Sequence, residues 1–284
     1  MARVADPLCL GPVTLPRSER WELRSRHGAT YRVHVAWPAE APPAAGFPVI
    51  CQLDGDATFA TTVESIRTRA HRTDATAVVP SIVVGVGSDA RSEDFVDEAG
   101  RARFLTFLTD ELLPAIAKRF AVDPARRALI GHSLGGLFVL ETLLETPLMP
   151  RGPFSTYVAI SPSIWRGGEA LWQRVRDFRL TAGSPPPRLL ITVGEYEQRL
   201  APWQEGQPNA AELLARREAR QMVDQAQRFA EALAAVAPGM AVHYRLLTGE
   251  DHASAVLRSM GDALRLTSAP PGAVLMAEGP WLNP

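Results

Sequence analysis

Apolar positions along the chain first predict a set of strands. Residues 21–26 and 30–37 alternate polar and apolar side chains, as half-buried strands do, and His27-Gly28-Ala29 between them predicts a hairpin. Short continuous apolar runs, typical of strands buried on both faces, follow at residues 47–53, 81–86, 127–130, 157–160, 188–193 and 242–247.

Helical spacing of apolar residues alternates with these runs, at residues 104–120, 134–144, 210–236 and 253–266. A hairpin followed by alternating strands and helices predicts an α/β fold, with a mostly parallel sheet and helices on both faces. In such sheets ligands bind beyond the carboxyl ends of the strands.

The organisation predicts a single domain over residues 1–284, because no repeat or long linker interrupts it. Apolar segments resume directly after the proline-rich stretches at 41–45 and 184–187, which therefore indicate loops. The long polar stretch 209–236, within the region 199–236, has three interpretations, of which a helical cap and a contact between copies are two. A solvated helix packed on the sheet is the reading we prefer.

Charge and composition exclude several function classes. The 30 basic and 31 acidic side chains give a net charge of -1, so no global basic field recruits nucleic acid or an anionic membrane. Two cysteines, Cys9 and Cys51, do not make a disulfide framework. No apolar run approaches the roughly 20 residues of a membrane span. We expect a cytoplasmic protein that acts on a small molecule and needs no metal or other cofactor.

The strongest chemical signal is Gly131-His132-Ser133-Leu134-Gly135, a G-x-S-x-G motif between a predicted strand and a predicted helix. This context is that of a nucleophile elbow, in which the serine hydroxyl stands above the sheet edge. Both flanking glycines are expected to be needed because a Cβ would collide with a neighbouring element. The side chain of His132 is expected to diverge from Ser133 and to be structural.

A serine nucleophile needs a base, which in this fold follows it in the chain. Only His243 and His252 do so. His243 lies within a predicted strand, whereas His252 lies in a polar loop between the last predicted strand and helix. His252 is therefore the predicted base.

The acid that orients the base should follow the preceding strand, and two glutamates, Glu195 and Glu197, do so. Because residues alternate across such a turn, only one can point at His252. Glu197 is preferred and Glu195 is the alternate. The oxyanion is expected to be stabilised by the backbone amides of Leu134 and Asp56.

These residues resemble a known family. The segments LDGD, GHSLGG, SPSIW, VGEYEQ and GEDHASAV are similar to those of the esterase D-like branch of the α/β hydrolases. Within that branch they most resemble the ferric catecholate siderophore esterases, which act on enterobactin, salmochelin or bacillibactin. The resemblance extends over nearly the whole chain and implies the α/β-hydrolase fold, with nucleophile, base and acid on Ser133, His252 and Glu197.

The resemblance implies hydrolysis of the serine-ester linkages of a cyclic tri-catecholate, with iron as part of the substrate. A ferric tri-catecholate is a trianion, which cations and aromatic faces would bind. Arg91, Trp165 and Arg166 are the candidates, with Arg199 as a further one. The sequence departs from the family in two places. It has an acidic run at 93–98, and it has Arg166 where the family often has a second tryptophan.

Two other functions stay open. A general carboxylesterase for small acyl or aryl esters would use the same machinery with a plainer pocket. A hydrolase scaffold kept only for binding is disfavoured because candidates for nucleophile, acid and base occur in the expected order.

Overall fold

The computed structural model describes residues 11–74, 76–145, 152–183 and 185–270. Its eight strands join one sheet in the order β1-β2-β4-β3-β5-β6-β7-β8. Their bounds are Ser18–Arg24, Thr30–Ala36, Phe47–Leu53, Ile82–Gly87, Val122–His132, Thr156–Ile160, Arg188–Gly194 and Ala241–Leu247, for β1 to β8. The β1–β2 and β2–β4 pairs are antiparallel and the others are parallel, which confirms the predicted mixed sheet.

Nine helices were identified in the described part of the chain. Their bounds are Gly55–Arg67, Arg91–Phe95, Glu98–Thr106, Leu113–Arg119, Leu134–Glu145, Gly168–Asp177, Ala210–Arg220, Met222–Val236 and Ala255–Ser268, for α1 to α9. Helices α1 and α9 cover one face of the sheet through apolar residues such as Phe59 and Leu264. Helices α5 and α8 pack on the other face, with Phe138 and Phe229 fully buried.

Two predicted helices differ from what the structure shows. The predicted helix 104–120 begins earlier, at Glu98, and contains a π-helical segment, Phe107–Leu112, before α4. Pro114 lies in the first turn of α4 and has no N–H to donate, which explains the irregular turn. The predicted helix 210–236 is two helices, because Gln221 adopts a left-handed conformation with φ 48°.

Three helices, α1, α2 and α6, were not predicted, nor were the first turns of α3. Helix α1 has three threonines and no continuous apolar stripe, yet it buries Phe59, Val63 and Ile66 against the sheet. Tertiary packing therefore overrides weak local propensity there.

Some expectations fall partly outside the described residues. Cys9 lies in the segment 1–10, and residue 184 begins the predicted loop 184–187. Cys51 is a buried free thiol in β3.

Among the helices of the described part, none is long and apolar enough to cross a membrane.

Candidate active site

The turn from β5 to α5 holds Ser133 in a left-handed conformation with φ 59°. A Cβ on Gly131 would lie 2.3 Å from the carbonyl oxygen of Gly135, so glycine is required there as predicted. The expectation for Gly135 is wrong, because its nearest contact would be an ordinary 3.4 Å. Gly136 is the tighter position, with the carbonyl oxygen of Ile160 only 3.0 Å from such a Cβ. The elbow is therefore packed closely at Gly131 and Gly136.

The structure brings the three predicted catalytic side chains into one chain of hydrogen-bonding contacts. Nε2 of His252 lies 3.0 Å from Oγ of Ser133. Nδ1 of the same ring lies 2.6 Å from Oε2 of Glu197. The acid follows β7 and the base follows β8, so these groups meet at the carboxyl edge of the sheet. This geometry suits a serine nucleophile with an oriented histidine base.

Glu197, rather than Glu195, contacts the base. Its carboxylate is buried, and Oε1 accepts hydrogen bonds from the Gly194 N–H at 2.7 Å and the Ser161 hydroxyl at 2.5 Å. Glu195 instead accepts from the Gly249 N–H and pairs with Arg199. The two glutamates therefore have different environments, as the alternation across the turn predicts.

Ser161 is a residue that the sequence reasoning missed. It follows β6 directly and has φ 45°, a conformation that few non-glycine residues adopt. Its position in the Ser-Pro-Ser segment after a buried strand was a usable signal. Its hydroxyl holds one oxygen of Glu197, which leaves the other oxygen to face His252.

The two remaining histidines near this region have distinct surroundings. His243 lies in β8, as predicted, where burial and then the Arg188 charge lower its pKa to about 4. His132 does not point away from the site as expected. Its Nε2–H donates to the backbone carbonyl of His252 at 2.8 Å, and the two ring centroids are 4.5 Å apart. Burial, followed by the nearby His252, lowers the pKa of His132, which favours a neutral ring.

The predicted oxyanion residues lie at the starts of helices. Leu134 is the first residue of α5, and Asp56 is the second of α1. The Asp56 carboxylate accepts hydrogen bonds from Arg32 and contacts His34 at 2.8 Å, and these hydrogen bonds lower its pKa. Both partners belong to β2, whereas Ser133 follows β5 on the other side of β3. The Asp56 carboxylate therefore contacts a strand on the side of β3 away from the nucleophile's strand.

Arg91 forms a bidentate ion pair with Asp54, with nitrogen–oxygen distances of 2.6 and 2.9 Å. Asp54 has φ 55° in the turn after β3 and was not predicted as a site residue. Both residues line a cavity of about 470 Å³ that also touches Gly131 and His132. The cavity lies between α1 and α9, its lining is mostly apolar, and the Asp54 charge offsets that of Arg91.

Trp165 and Arg166 lie on the other side of the nucleophile, in a short 3-10 turn, Ile164–Arg166. Just before it, Ser163 donates its N–H to the Ser133 carbonyl at 3.0 Å, and the two hydroxyl oxygens are 3.3 Å apart. The Trp165 side chain is 37% exposed, and the Arg166 guanidinium carbon lies 5.4 Å from its ring centroid.

The fold and the serine elbow define this protein as an α/β hydrolase. The chain matches the family described as "Putative esterase" over residues 25–241 and belongs to that family. It is therefore an esterase.

Individual relatives resemble the chain over nearly its whole length. A ferri-bacillibactin esterase of Bacillus subtilis is 31% identical, and the alignment covers 91% of this chain and 92% of the relative. A siderophore triacetylfusarinine C esterase of Aspergillus fumigatus is 30% identical, covering 90% and 94% respectively. The solved structure of the siderophore hydrolase EstB from Aspergillus nidulans has a TM-score of 0.79 at 26% identity, covering 91% and 97%.

Proposed function

We propose that this chain hydrolyses the ester linkages of a ferric catecholate siderophore, with Ser133 as nucleophile, His252 as base and Glu197 as the orienting acid. The observation that carries the chemistry is the hydrogen-bonding chain from Glu197 through His252 to Ser133. The ferri-bacillibactin esterase of 31% identity supports a catecholate substrate, and the triacetylfusarinine C esterase of 30% identity supports siderophore esters in general.

The reaction is acyl transfer in two steps. His252 Nε2 takes the proton of the Ser133 hydroxyl as Oγ attacks the ester carbon, and then gives that proton to the departing alkoxide. Water attacks the acyl-serine in the same way and restores the hydroxyl. The amides of Leu134 and Asp56 stabilise the oxyanion in both steps.

Substrate recognition is proposed at Trp165 and Arg166 on one side of the nucleophile and at Arg91 in the cavity on the other side. Three of the four acids in the run at 93–98 have partners of their own, which reduces their opposition to an anionic substrate. Glu93 pairs with Arg103, Asp94 is buried beside Ser88, and Asp97 caps α3.

The test is chromatography with mass detection of a ferric tri-catecholate trilactone incubated with wild type and with Ser133→Ala. Wild type should yield linear trimer, dimer or monomer, and Ser133→Ala should lose at least about a thousandfold in rate. Ser65→Ala, in α1, is a control serine that should keep full activity. An unchanged rate in Ser133→Ala would refute the assigned nucleophile.

The mostly apolar cavity between α1 and α9 favours one second candidate, a general carboxylesterase for small acyl or aryl esters. The same experiment separates the two functions. If the trilactone survives while a simple aryl acetate is cleaved in a Ser133-dependent way, the general carboxylesterase replaces the siderophore esterase.

A further inference from the structure

Trp165 is flanked by two arginines rather than one. The guanidinium carbon of Arg220 lies 5.1 Å from the indole centroid, and that of Arg166 lies 5.4 Å from it. Arg220 is the last residue of α7, within the segment between the acid and the base. Two arginines that are 54 positions apart in sequence thus lie against one aromatic side chain.

This group lies next to the nucleophile. Ser163, two residues before Trp165, contacts Ser133 through its N–H at 3.0 Å and through its hydroxyl at 3.3 Å. The turn that carries Trp165 therefore starts beside the nucleophile, and a substrate bound at Ser133 can extend towards Trp165 and its two arginines.

The charges of Arg166 and Arg220 are not offset by an acid. Across the described residues, neither guanidinium forms an ion pair with a carboxylate. Other arginines around the site are paired, Arg91 with Asp54 and Arg199 with Glu195. Like charges repel, but the negative face of an indole ring attracts each guanidinium and reduces the cost of bringing them together. The result is a local positive charge in a chain whose net charge is -1.

We propose that Trp165, Arg166 and Arg220 form an anion subsite that binds the negatively charged aromatic part of the substrate. The two guanidiniums offer several N–H donors to oxygen anions, as a catecholate or another aromatic anion requires. Helix α7 therefore contributes to substrate selection through Arg220. In naming the substrate class, this inference rests on the proposed function.

The test uses two inhibitors of nearly equal shape, 1-naphthalenesulfonate and the neutral 1-naphthalenesulfonamide. Each competes with hydrolysis of the neutral ester 4-nitrophenyl acetate. Wild type should bind the sulfonate about tenfold more tightly than the sulfonamide. A tenfold difference in affinity corresponds to about 1.4 kcal/mol, which is about what one charge-assisted hydrogen bond contributes. The preference should fall at high salt, since these charges are exposed.

Arg220→Gln and Arg166→Gln should each reduce that preference about fivefold, whereas Arg220→Lys should retain part of it. Arg228→Gln is the matched control, because Arg228 also lies over a tryptophan, Trp172, at 4.4 Å. Arg228→Gln should keep the wild-type preference. The far-ultraviolet circular dichroism spectrum and the thermal unfolding midpoint of each variant should match those of wild type, which shows that the variants are folded.

Equal binding of the two inhibitors by wild type would overturn the subsite, as would an unchanged preference in Arg220→Gln. A failure of the proposed function is detected by a separate measurement, the hydrolysis of the ferric trilactone. A wild type that prefers the sulfonate but leaves the ferric trilactone intact retains the anion subsite and loses the siderophore substrate.

Discussion

At the scale of single residues, the contact of His132 with the base loop links the nucleophile's strand to His252. The donor nitrogen of His132 reaches the backbone carbonyl of His252, so the elbow and the base hold each other in position. The ring is half-buried and its lowered pKa keeps it neutral, which avoids a second positive charge beside the base when that base takes a proton.

We expect His132→Leu to lower kcat about three- to tenfold with little change in KM, because one positioning hydrogen bond contributes about 1 kcal/mol. His132→Gln carries an amide donor and should recover part of the loss. Steady-state kinetics on a neutral aryl acetate measures both constants. A raised KM with unchanged kcat would instead place His132 in substrate binding, which its position in the cavity lining would then explain.

At the scale of elements, helix α5 carries a buried carboxylate below the elbow. Glu141 is almost fully buried and is paired with Arg101 of α3 at 3.4 Å and with Arg174 of α6 at 2.5 Å. Burial raises the pKa of Glu141 and the two guanidiniums oppose that rise. The pairs tie the nucleophile's helix to its two neighbours, because each charge is costly to bury without its partner.

Arg101→Met should lower the free energy of unfolding by about 3 kcal/mol, since it leaves Glu141 short of one cation in a buried position. Urea unfolding followed by circular dichroism measures this. Arg103→Met, on the same helix but exposed and paired with Glu93, should cost less than about 1 kcal/mol. The double variant Arg101→Met/Glu141→Gln should regain at least half of the loss. A single variant as stable as wild type would contradict a structural role for the pair.

At the scale of the whole molecule, the sheet buries the titratable ring of His243. His243 of β8 is 5% exposed, and its pKa of about 4 lies below the ordinary value of about 6.5. The folded state therefore favours the neutral ring, and the stability this contributes is fully present above pH 6.5. It is lost progressively as the pH falls from about 6.5 to about 4.

Between pH 7.5 and pH 4.5 this group alone should remove about 2 to 3 kcal/mol of unfolding free energy. His243→Gln, which does not titrate, should lack that part of the pH dependence, whatever its stability at pH 7.5. Urea unfolding at the two pH values in both proteins gives the difference. Equal pH dependence in the two proteins would show that His243 is not the group responsible.

Much of the fold could be predicted because each buried parallel strand corresponds to a short run of apolar residues in the sequence. Strands β3 and β4 are buried along their whole length, and apart from Gln52 their sequences contain no polar side chain. Helix α1 could not be predicted, because its helical state depends on packing Phe59 and Val63 onto a sheet that the local sequence does not contain. The break at Gln221 was missed because nothing in that residue type demands a left-handed backbone.

The sequence by itself determined the elbow at Ser133, because the strand, the turn and the helix that form it are adjacent in the chain. It also determined the candidate base His252, because the base follows the nucleophile in this fold and only two histidines do so. Only the tertiary structure decided that Glu197, rather than Glu195, faces that base and that Arg91 is paired with Asp54. It alone placed Arg220 over Trp165. These contacts join residues that are tens of positions apart, and the order of strands in the sheet sets their distances.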